Sequence, residues 1–569
     1  MSTADPAAKT ALRKTALRGI GLCVVSGLLA ALAFSTHATA WLIWIAFVPW
    51  LYVLFTRPAR AGSYAFHTWI FGMSFYIGII HWLKELHPLT WLGGVTEVDS
   101  LMIVYGGIFG ISLFVSIWTV GLGALLGWIK PVGWRQIVYP ALLWMLMEYC
   151  QALGELSLPW ARLAVSQYEN LWLLQIVPHT GQLVVSGLIM AFNAALASFI
   201  IQFTPDPNPK PYWHYPGFRA LSVVALLILA DLGYGALQLA GSPAQSADDE
   251  HPKGIFVGVV QGSIPQGQKW GTPAEFWNNV AKTEKIYLDL TYELVQEKNQ
   301  PGPSKDPQPG LLVWPESAVP VFPREMAIYQ EHYRQLARAS GSYFLTGSFD
   351  RLEPVNDAPI YNAAVLTEPD GTMKQWYYKR QRVPFGEYFP YRNFLTSIPL
   401  LGGIIDHLNP MHSDTAPGRD AALFSTRYGK LGTLICFESV YPQVARESVQ
   451  AGANLLVIVT NDGWYKDAIA LYQHLGHAVL RALENDRFVI RAGNTGISAF
   501  IDSHGRILAQ SKPLDRVALS WRLPQDQLKQ NLTLFTRLGD WPIWLSLLFI
   551  LLAEILARTM KPFEEEVNS

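Results

Sequence analysis

Three short stretches hold side chains that fit one reaction. Residues 431–439, LGTLICFES, run apolar and β-branched into Cys436, with Phe437 and Glu438 directly behind it. A thiol where a buried strand stops, beside a carboxylate, suits a nucleophile displayed at a sheet edge. Residues 311–317, LLVWPES, are a second strand, ended by Pro315 with Glu316 next. Residues 378–387, YKRQRVPFGE, supply Lys379. A thiol needs a base, which a carboxylate in an apolar, Trp-flanked setting can provide. Acyl transfer passes through an oxyanion, which a fixed ammonium stabilises. Each residue also has a plainer reading: Glu316 as a solvated loop acid, Lys379 as one of a basic surface run, Cys436 as core packing.

The remaining cysteines narrow the choice. Cys23 and Cys150 lie in apolar segments, so the three in the chain build no disulfide framework and Cys436 alone sits in polar sequence. Net charge is −1, and no global field favours nucleic acid. There is no P-loop and no dinucleotide fingerprint. His474, beside Gln473, lacks a partner at metal-ligand spacing. No cofactor is expected.

The elements that must position these residues fall within 250–530. Residues 254–261, 311–314, 343–347, 431–435 and 455–460 read as buried strands. Helical patterns lie at 273–297, 323–340, 442–451 and 468–485, and turn signals at 368–371 and 502–505 mark hairpins. Alternating strands and helices with hairpins predict an α/β sandwich with mixed sheets.

Around this insert the chain is built for lipid. Hydrophobic residues make up 50% and charged residues 15%, where about 25% charged is ordinary for a soluble protein. Seven apolar segments precede residue 241, at about 17–36, 41–56, 64–83, 101–129, 136–152, 178–203 and 219–240, and an eighth lies near 541–559. Most approach the ~20 residues a spanning helix needs. The expectation is a polytopic helical membrane protein of about eight spans: a membrane domain over 1–241, a globular domain over 250–530 and a C-terminal helix over 541–560. Twelve Lys and Arg fall on one side of this topology and two on the other, which puts both termini in the cytoplasm and the insert outside it. Ala38-Thr39-Ala40 resembles a signal-peptidase site; cleavage there leaves the insert on the same side. Glu148 and Asp231, in or near spans, are either functional or interfacial and helix-bonding residues.

At the three stretches the chain resembles the nitrilase superfamily, which uses a Glu–Lys–Cys triad on an αββα sandwich. WPES (314–317), Lys379 followed by VPFGE (383–387), ICFE (435–438) and TNDGW (460–464) look like the apolipoprotein N-acyltransferase family within it. So do VQGSIPQ (260–266) before Trp270, Tyr361-Asn362, Gln473-His474, RAGNTGIS (491–498) and Gly539-Asp540-Trp541-Pro542. The resemblance covers nearly the whole chain. It implies ping-pong transfer of an acyl chain from a phospholipid, typically phosphatidylethanolamine, to the α-amino group of a lipoprotein's N-terminal S-diacylglyceryl cysteine. The setting it implies is a bacterial inner membrane with the chemistry on the periplasmic side. Carried over by motif, Cys436 is the nucleophile, Glu316 the base and Lys379 the oxyanion cation. Glu387 supports Lys379 or the base, Glu438 and Trp270 match positions needed for full activity, and Asn362 and Trp464 belong to the substrate pocket.

The chain departs from the family in two places. Phe437 stands where many members have Tyr, which leaves its backbone N–H for the oxyanion but no phenol. Gly463-Trp464-Tyr465-Lys466 replaces the common Ala-Trp-Phe-Gly. Residues 385–408, irregular and rich in aromatic and aliphatic side chains, read as a flap at the membrane interface or as packing on the insert's core. Two other functions remain open on the residues alone: a membrane-anchored amidase, and a non-catalytic receptor or transport component on the same scaffold.

Overall fold

The computed structural model describes residues 6–89, 95–203, 210–242, 254–270, 274–298, 310–353, 355, 358–398, 414–466 and 468–567. Five helices in it are long and apolar enough to cross a membrane: Arg13–Leu32, His37–Thr56, Glu97–Ile129, Gln182–Gln202 and Pro216–Gly241. The C-terminal apolar helix, Trp541–Ala557, is shorter. Other expected segments form helices with weaker credentials. Ala61–Ile80 is diluted by His67, Thr68 and serines, and Arg135–Cys150 is 16 residues long with Pro140 inside it. Residues 37–56 are subdivided into a 3-10 turn, His37–Leu42, then Ile43–Ala46 and Val48–Thr56, where Pro49 fits the first turn of a helix.

Small residues let these helices approach closely, the packing expected where no hydrophobic effect drives association. A Cβ on Gly123 would lie 2.6 Å from Thr68 Oγ1 and 2.7 Å from the Tyr64 carbonyl oxygen. Polar ties link the helices as well. Glu554 of the last helix accepts from Arg135 Nη1 at 3.0 Å and from the Tyr139 hydroxyl at 2.9 Å. Glu148 accepts from Trp144 Nε1 at 2.8 Å and from the Leu163 N–H at 2.9 Å, the bonding alternative among its sequence readings. Met102, Phe109, Ile117, Leu226 and Leu237 are exposed, an apolar girdle that suits lipid.

Twelve strands follow: β1 (Ile255–Gln261), β2 (Leu311–Val313), β3 (Tyr343–Arg351), β4 (Ile360–Thr367), β5 (Gln375–Tyr378), β6 (Leu423–Thr426), β7 (Gly429–Ile435), β8 (Leu455–Thr460), β9 (Phe488–Gly493), β10 (Ala499–Ile501), β11 (Ile507–Gln510) and β12 (Val517–Leu523). They make two six-stranded sheets, ordered β12-β1-β2-β3-β4-β5 and β11-β10-β9-β8-β7-β6. Each has a parallel centre, β1-β2-β3 or β7-β8-β9, with antiparallel flanks. Side chains alternate along a strand, which sorts them into layers. Val257, Val313 and Leu345 meet Ile435, Val457 and Ile490 between the sheets. Leu312, Trp314 and Phe344 face helices Phe276–Lys298 and Ala327–Ser340. The result is the expected αββα sandwich with mixed sheets.

The fourth layer is shared with the membrane half. Leu434, Leu456 and Ile458 of the second sheet belong to one apolar cluster with Val444, Leu475 and Val479 of helices Pro442–Gln450 and Ala470–Asn485. The same cluster runs on into Trp160, Leu163 and Phe71. Helix Ala470–Asn485 is buried along nearly its whole length because both its faces are covered. Trp160 pins this junction. Its ring stacks on Phe437 at 6.2 Å and 17°, and its indole N–H donates to Gln473 Oε1 at 2.6 Å. The Tyr441 hydroxyl donates to the Ser157 carbonyl at 2.8 Å nearby.

Replacing so large a buried side chain by alanine typically costs about 3–5 kcal/mol. Trp160→Ala is therefore expected to lower the apparent melting temperature of the purified protein in detergent by several degrees, with Trp160→Phe in between. A melting curve for Trp160→Ala superimposable on the parent would remove this residue from the junction.

Candidate active site

The chemistry-bearing residues gather at one edge of the sandwich. Glu316 follows β2 after a proline stop, Lys379 directly follows β5, Cys436 directly follows β7 and Asn461 directly follows β8. Asn362 lies near the amino end of β4, which runs antiparallel to β5 and so reaches the same edge. Sheet edges at the carboxyl ends of strands are where α/β folds expose loops without breaking ladder bonds.

Lys379 is the hub. Its Nζ lies 3.2 Å from Glu316 Oε1 and 2.9 Å from Glu387 Oε1, with the lysine 1% exposed. Asn362 Nδ2 donates to the same two oxygens, at 2.7 Å and 2.8 Å. The other Glu316 oxygen accepts from the Asn461 backbone N–H at 2.8 Å. Glu387 Oε2 accepts from the Val383 N–H at 2.8 Å, which folds the VPFGE turn onto the lysine. Burial works to discharge the ammonium, but Glu316 and Glu387 outweigh it and hold Lys379 well above its ordinary value. The first sheet must lie close here. A Cβ on Gly347 of β3 would sit 2.4 Å from Glu316 Cα, so only glycine fits.

Cys436 takes a left-handed backbone, φ 53°, where β7 turns into the short helix Cys436–Val440. A non-glycine residue held there stores local strain, and such strain clusters at working sites. Burial pushes the thiol well up from its ordinary value, and the Glu316 carboxylate pushes the same way. Lys379 pulls it back in part. Burial first, and Glu316 second, thus favour the neutral thiol, with Lys379 opposing them.

Glu438 does not face the thiol. It is fully buried, and its carboxylate accepts from the Tyr377 hydroxyl at 2.8 Å and 2.9 Å. It also takes the backbone N–H groups of Arg380 at 2.6 Å, Gln381 at 3.1 Å and Ile435 at 2.8 Å. One side chain thereby clamps the strand end bearing Lys379 to the turn bearing Cys436. Phe437 turns its ring away to Trp160 and to Tyr441, 5.3 Å distant.

Trp314 differs from its sequence reading. It packs among Tyr287, Tyr333 and Phe344 and donates to Thr291 at 2.9 Å, so it lies in the outer helical layer rather than around the Glu316 carboxylate. Trp464 is half-buried in the 461–466 turn. Trp270 ends helix Gln266–Trp270, and its side chain lies outside the described residues, as do residues 399–408 of the proposed flap. The described part of that flap exposes Phe385, Tyr391 and Phe394, which rules out packing of those rings on the insert's core. It is tied to the membrane half by the Tyr391 N–H, which donates to Glu155 Oε2 at 2.6 Å, and by the Tyr388 hydroxyl, which donates to the Glu155 carbonyl.

A second buried network, without a role in the sequence reading, lies behind Cys436. Asp462 accepts from Arg491 at 2.8 Å and from Thr460 at 2.9 Å, and meets His474 Nδ1 at 2.9 Å. The other His474 nitrogen lies 3.2 Å from the Cys436 carbonyl oxygen. Burial works to raise Asp462, but His474 and Arg491 outweigh it and hold it at about 2. The TNDGW, QH and RAGN motifs carried this signal, but only folding shows that they meet.

Residues 256–518 match a family model described as carbon-nitrogen hydrolase, and residues 26–195 match one described as apolipoprotein N-acyltransferase N-terminal domain. The apolipoprotein N-acyltransferase of Geobacter metallireducens is 30% identical over 534 residues, covering 92% of this chain and 92% of that protein. That of Gloeobacter violaceus is 30% identical over 563 residues, covering 96% of each. That of Nostoc sp. is 27% identical over 537 residues, covering 91% of this chain and 96% of that protein. Among solved structures, the C. elegans NitFhit protein aligns at a TM-score of 0.36 and 17% identity, covering 48% of this chain and 61% of that one. With both halves matched and relatives aligned over more than nine-tenths of its length, the chain belongs to the apolipoprotein N-acyltransferase family.

Proposed function

We propose that this protein transfers a fatty acyl chain from a membrane phospholipid, such as phosphatidylethanolamine, to the α-amino group of the N-terminal S-diacylglyceryl cysteine of lipoproteins. The observation that carries this reading is the buried Lys379, held between Glu316 and Glu387 and electrostatically coupled to Cys436. Cys436 is the nucleophile, Glu316 the general base and Lys379 the oxyanion cation. Glu387 and Asn362 hold the base and the cation in register. Glu438 positions both strand ends, and Trp270 and Trp464 border the substrate. Apolar helices and exposed rings in the 385–398 segment support a thiol near the headgroup plane.

The charges dictate the order of events. Glu316 takes the proton of Cys436 as the sulfur attacks the ester carbonyl, and Lys379 with the Phe437 amide N–H faces the oxyanion. The C–O bond breaks, Glu316 returns the proton to the departing glycerol oxygen, and lysophospholipid leaves. The acceptor amine then attacks the thioester. Glu316 takes the amine proton and passes it to the sulfur as the C–S bond breaks. Burial of Cys436 keeps water from the thioester, which favours aminolysis over hydrolysis.

The topology proposed with this function has about eight spans in a bacterial inner membrane, both termini cytoplasmic and the catalytic domain periplasmic. The domains are a membrane part over 1–241, a catalytic part over 250–530 and a returning helix over 541–560.

Purified protein incubated with acyl-labelled phospholipid should gain a hydroxylamine-sensitive acyl mass on Cys436. Cys436→Ala should carry none, and Lys379→Met should form it on the order of 100-fold more slowly. Label persisting on Cys436→Ala would defeat the assignment. Because the thiol is held protonated by burial and by Glu316, iodoacetamide should modify Cys436 slowly between about pH 7 and pH 9. Glu316→Gln removes the negative neighbour and should speed that alkylation while slowing acylation. Equal alkylation of both proteins across this range would show that Glu316 does not control the thiol.

A further inference from the structure

Beside this site three buried polar atoms have no partner among the described residues. Helix Gln266–Trp270 leads from β1 toward Glu316, and within it Lys269 is 1% exposed and Gln266 6%. Lys269 Nζ and both amide atoms of Gln266 make no hydrogen bond among the described residues. A buried amine without a partner is costly to keep, and such groups call for a ligand or a role. Glu316 is the carboxylate whose charge Lys269 feels, yet its oxygens are already committed to Lys379, Asn362 and the Asn461 N–H. Gln266 is held near the same atoms. A Cβ built on Gly463, two residues after Asn461, would lie 3.3 Å from Gln266 Cγ and 3.5 Å from its Nε2. Asn494 braces the approach to this helix, donating to the Ile264 carbonyl at 2.8 Å and to Asn461 Oδ1 at 3.0 Å.

We infer that Lys269 and Gln266 form the subsite for the phosphodiester of the phospholipid donor, an inference that rests on the acyl-transfer reading above. The charges at the site call for such a subsite. Glu316 and Glu387 outnumber Lys379, so the cluster alone repels an anionic headgroup, and a second cation is needed before a phosphodiester can come near the thiol. Lys269 lies where Glu316 feels its charge, and its Nζ has no partner among the described residues. Burial draws it down to about 7, with Glu316 opposing, so it gains most from an anion that restores its charge. Gln266 adds a donor for a phosphate oxygen and an acceptor for a headgroup N–H.

The test uses the full-length protein in detergent and reads single-turnover acylation of Cys436 by intact mass, from phosphatidylethanolamine and from p-nitrophenyl palmitate, a donor with no phosphate. In Lys269→Met the ratio of the phospholipid rate to the nitrophenyl-ester rate should fall by about 10- to 100-fold, and in Gln266→Leu by a smaller factor. Equal loss with both donors would make Lys269 a structural support, and no loss with either would make it idle; both overturn the subsite. Slowing confined to transfer from the acyl-enzyme to a diacylglyceryl peptide would assign these residues to the acceptor instead. Wild-type binding of inorganic phosphate that Lys269→Met abolishes, with the phospholipid to nitrophenyl-ester rate ratio unchanged, would mark a free-anion site and overturn the lipid assignment. A wild-type protein that neither donor acylates on Cys436 would defeat the acyl-transfer reading itself, an outcome distinct from the others.

Discussion

One ammonium buried between two carboxylates fixes most of what surrounds it. Lys379 can stay charged at 1% exposure only while Glu316 and Glu387 stay within hydrogen-bond reach. That requirement sets how β2, β4 and β5 end, why the VPFGE turn curls back, and why Gly347 lacks a side chain. Asn362 bonds both acids with one amide nitrogen, which keeps two like charges at a common distance. Removal of any member leaves the others buried and uncompensated, so the cluster resists piecemeal change. It therefore persists as a unit, and its geometry is available before any substrate arrives.

The two sheets must then be aligned so that this unit, carried by the first, meets a thiol carried by the second. Apolar packing between sheets tolerates sliding, since one aliphatic contact replaces another at little cost. Glu438 removes that tolerance. Its carboxylate binds backbone N–H groups on both sides of the gap, at Arg380 and Gln381 beside Lys379 and at Ile435 beside Cys436. A buried carboxylate that takes hydrogen bonds from four residues is satisfied in one alignment only. The apolar core supplies cohesion, and this polar clamp supplies register.

Much of this was legible in the sequence, for reasons particular to each residue. The strands at 255–261, 311–313, 429–435 and 455–460 are parallel-sheet strands buried on both faces, hence continuous apolar runs that stand out. β4 to β6 and β10 to β12 stood out less, because they lie on the antiparallel flanks and mix polar with apolar residues, and β12 is defined by a partner far along the chain, β1. Glu316 and Cys436 were found because each follows an apolar strand that stops abruptly, and Lys379 because it opens the polar run that leads into VPFGE. Asn461 and Lys269 were not found. The first acts through its backbone N–H, which no side-chain pattern reveals, and the second sits in a five-residue helix whose burial depends on the tertiary fold. The sequence read Trp314 as flanking Glu316, but alternation along β2 points its ring to the outer helices.

Phe437 shows how the two halves of the chain constrain each other. As a tyrosine its hydroxyl would lie at the far end of a ring stacked on Trp160, in a junction already filled by Tyr441, His474 and the apolar cluster. A phenol there needs a hydrogen-bond partner or water, and burying it without one costs more than burying a phenyl ring. In this chain Gln473 bonds Trp160, His474 bonds Asp462, and Tyr441 bonds Ser157. Phenylalanine fills this junction with a ring that needs no polar partner. It leaves the Phe437 N–H as the group at that position able to face the oxyanion, and gives its ring the separate task of holding the thiol turn against the membrane half.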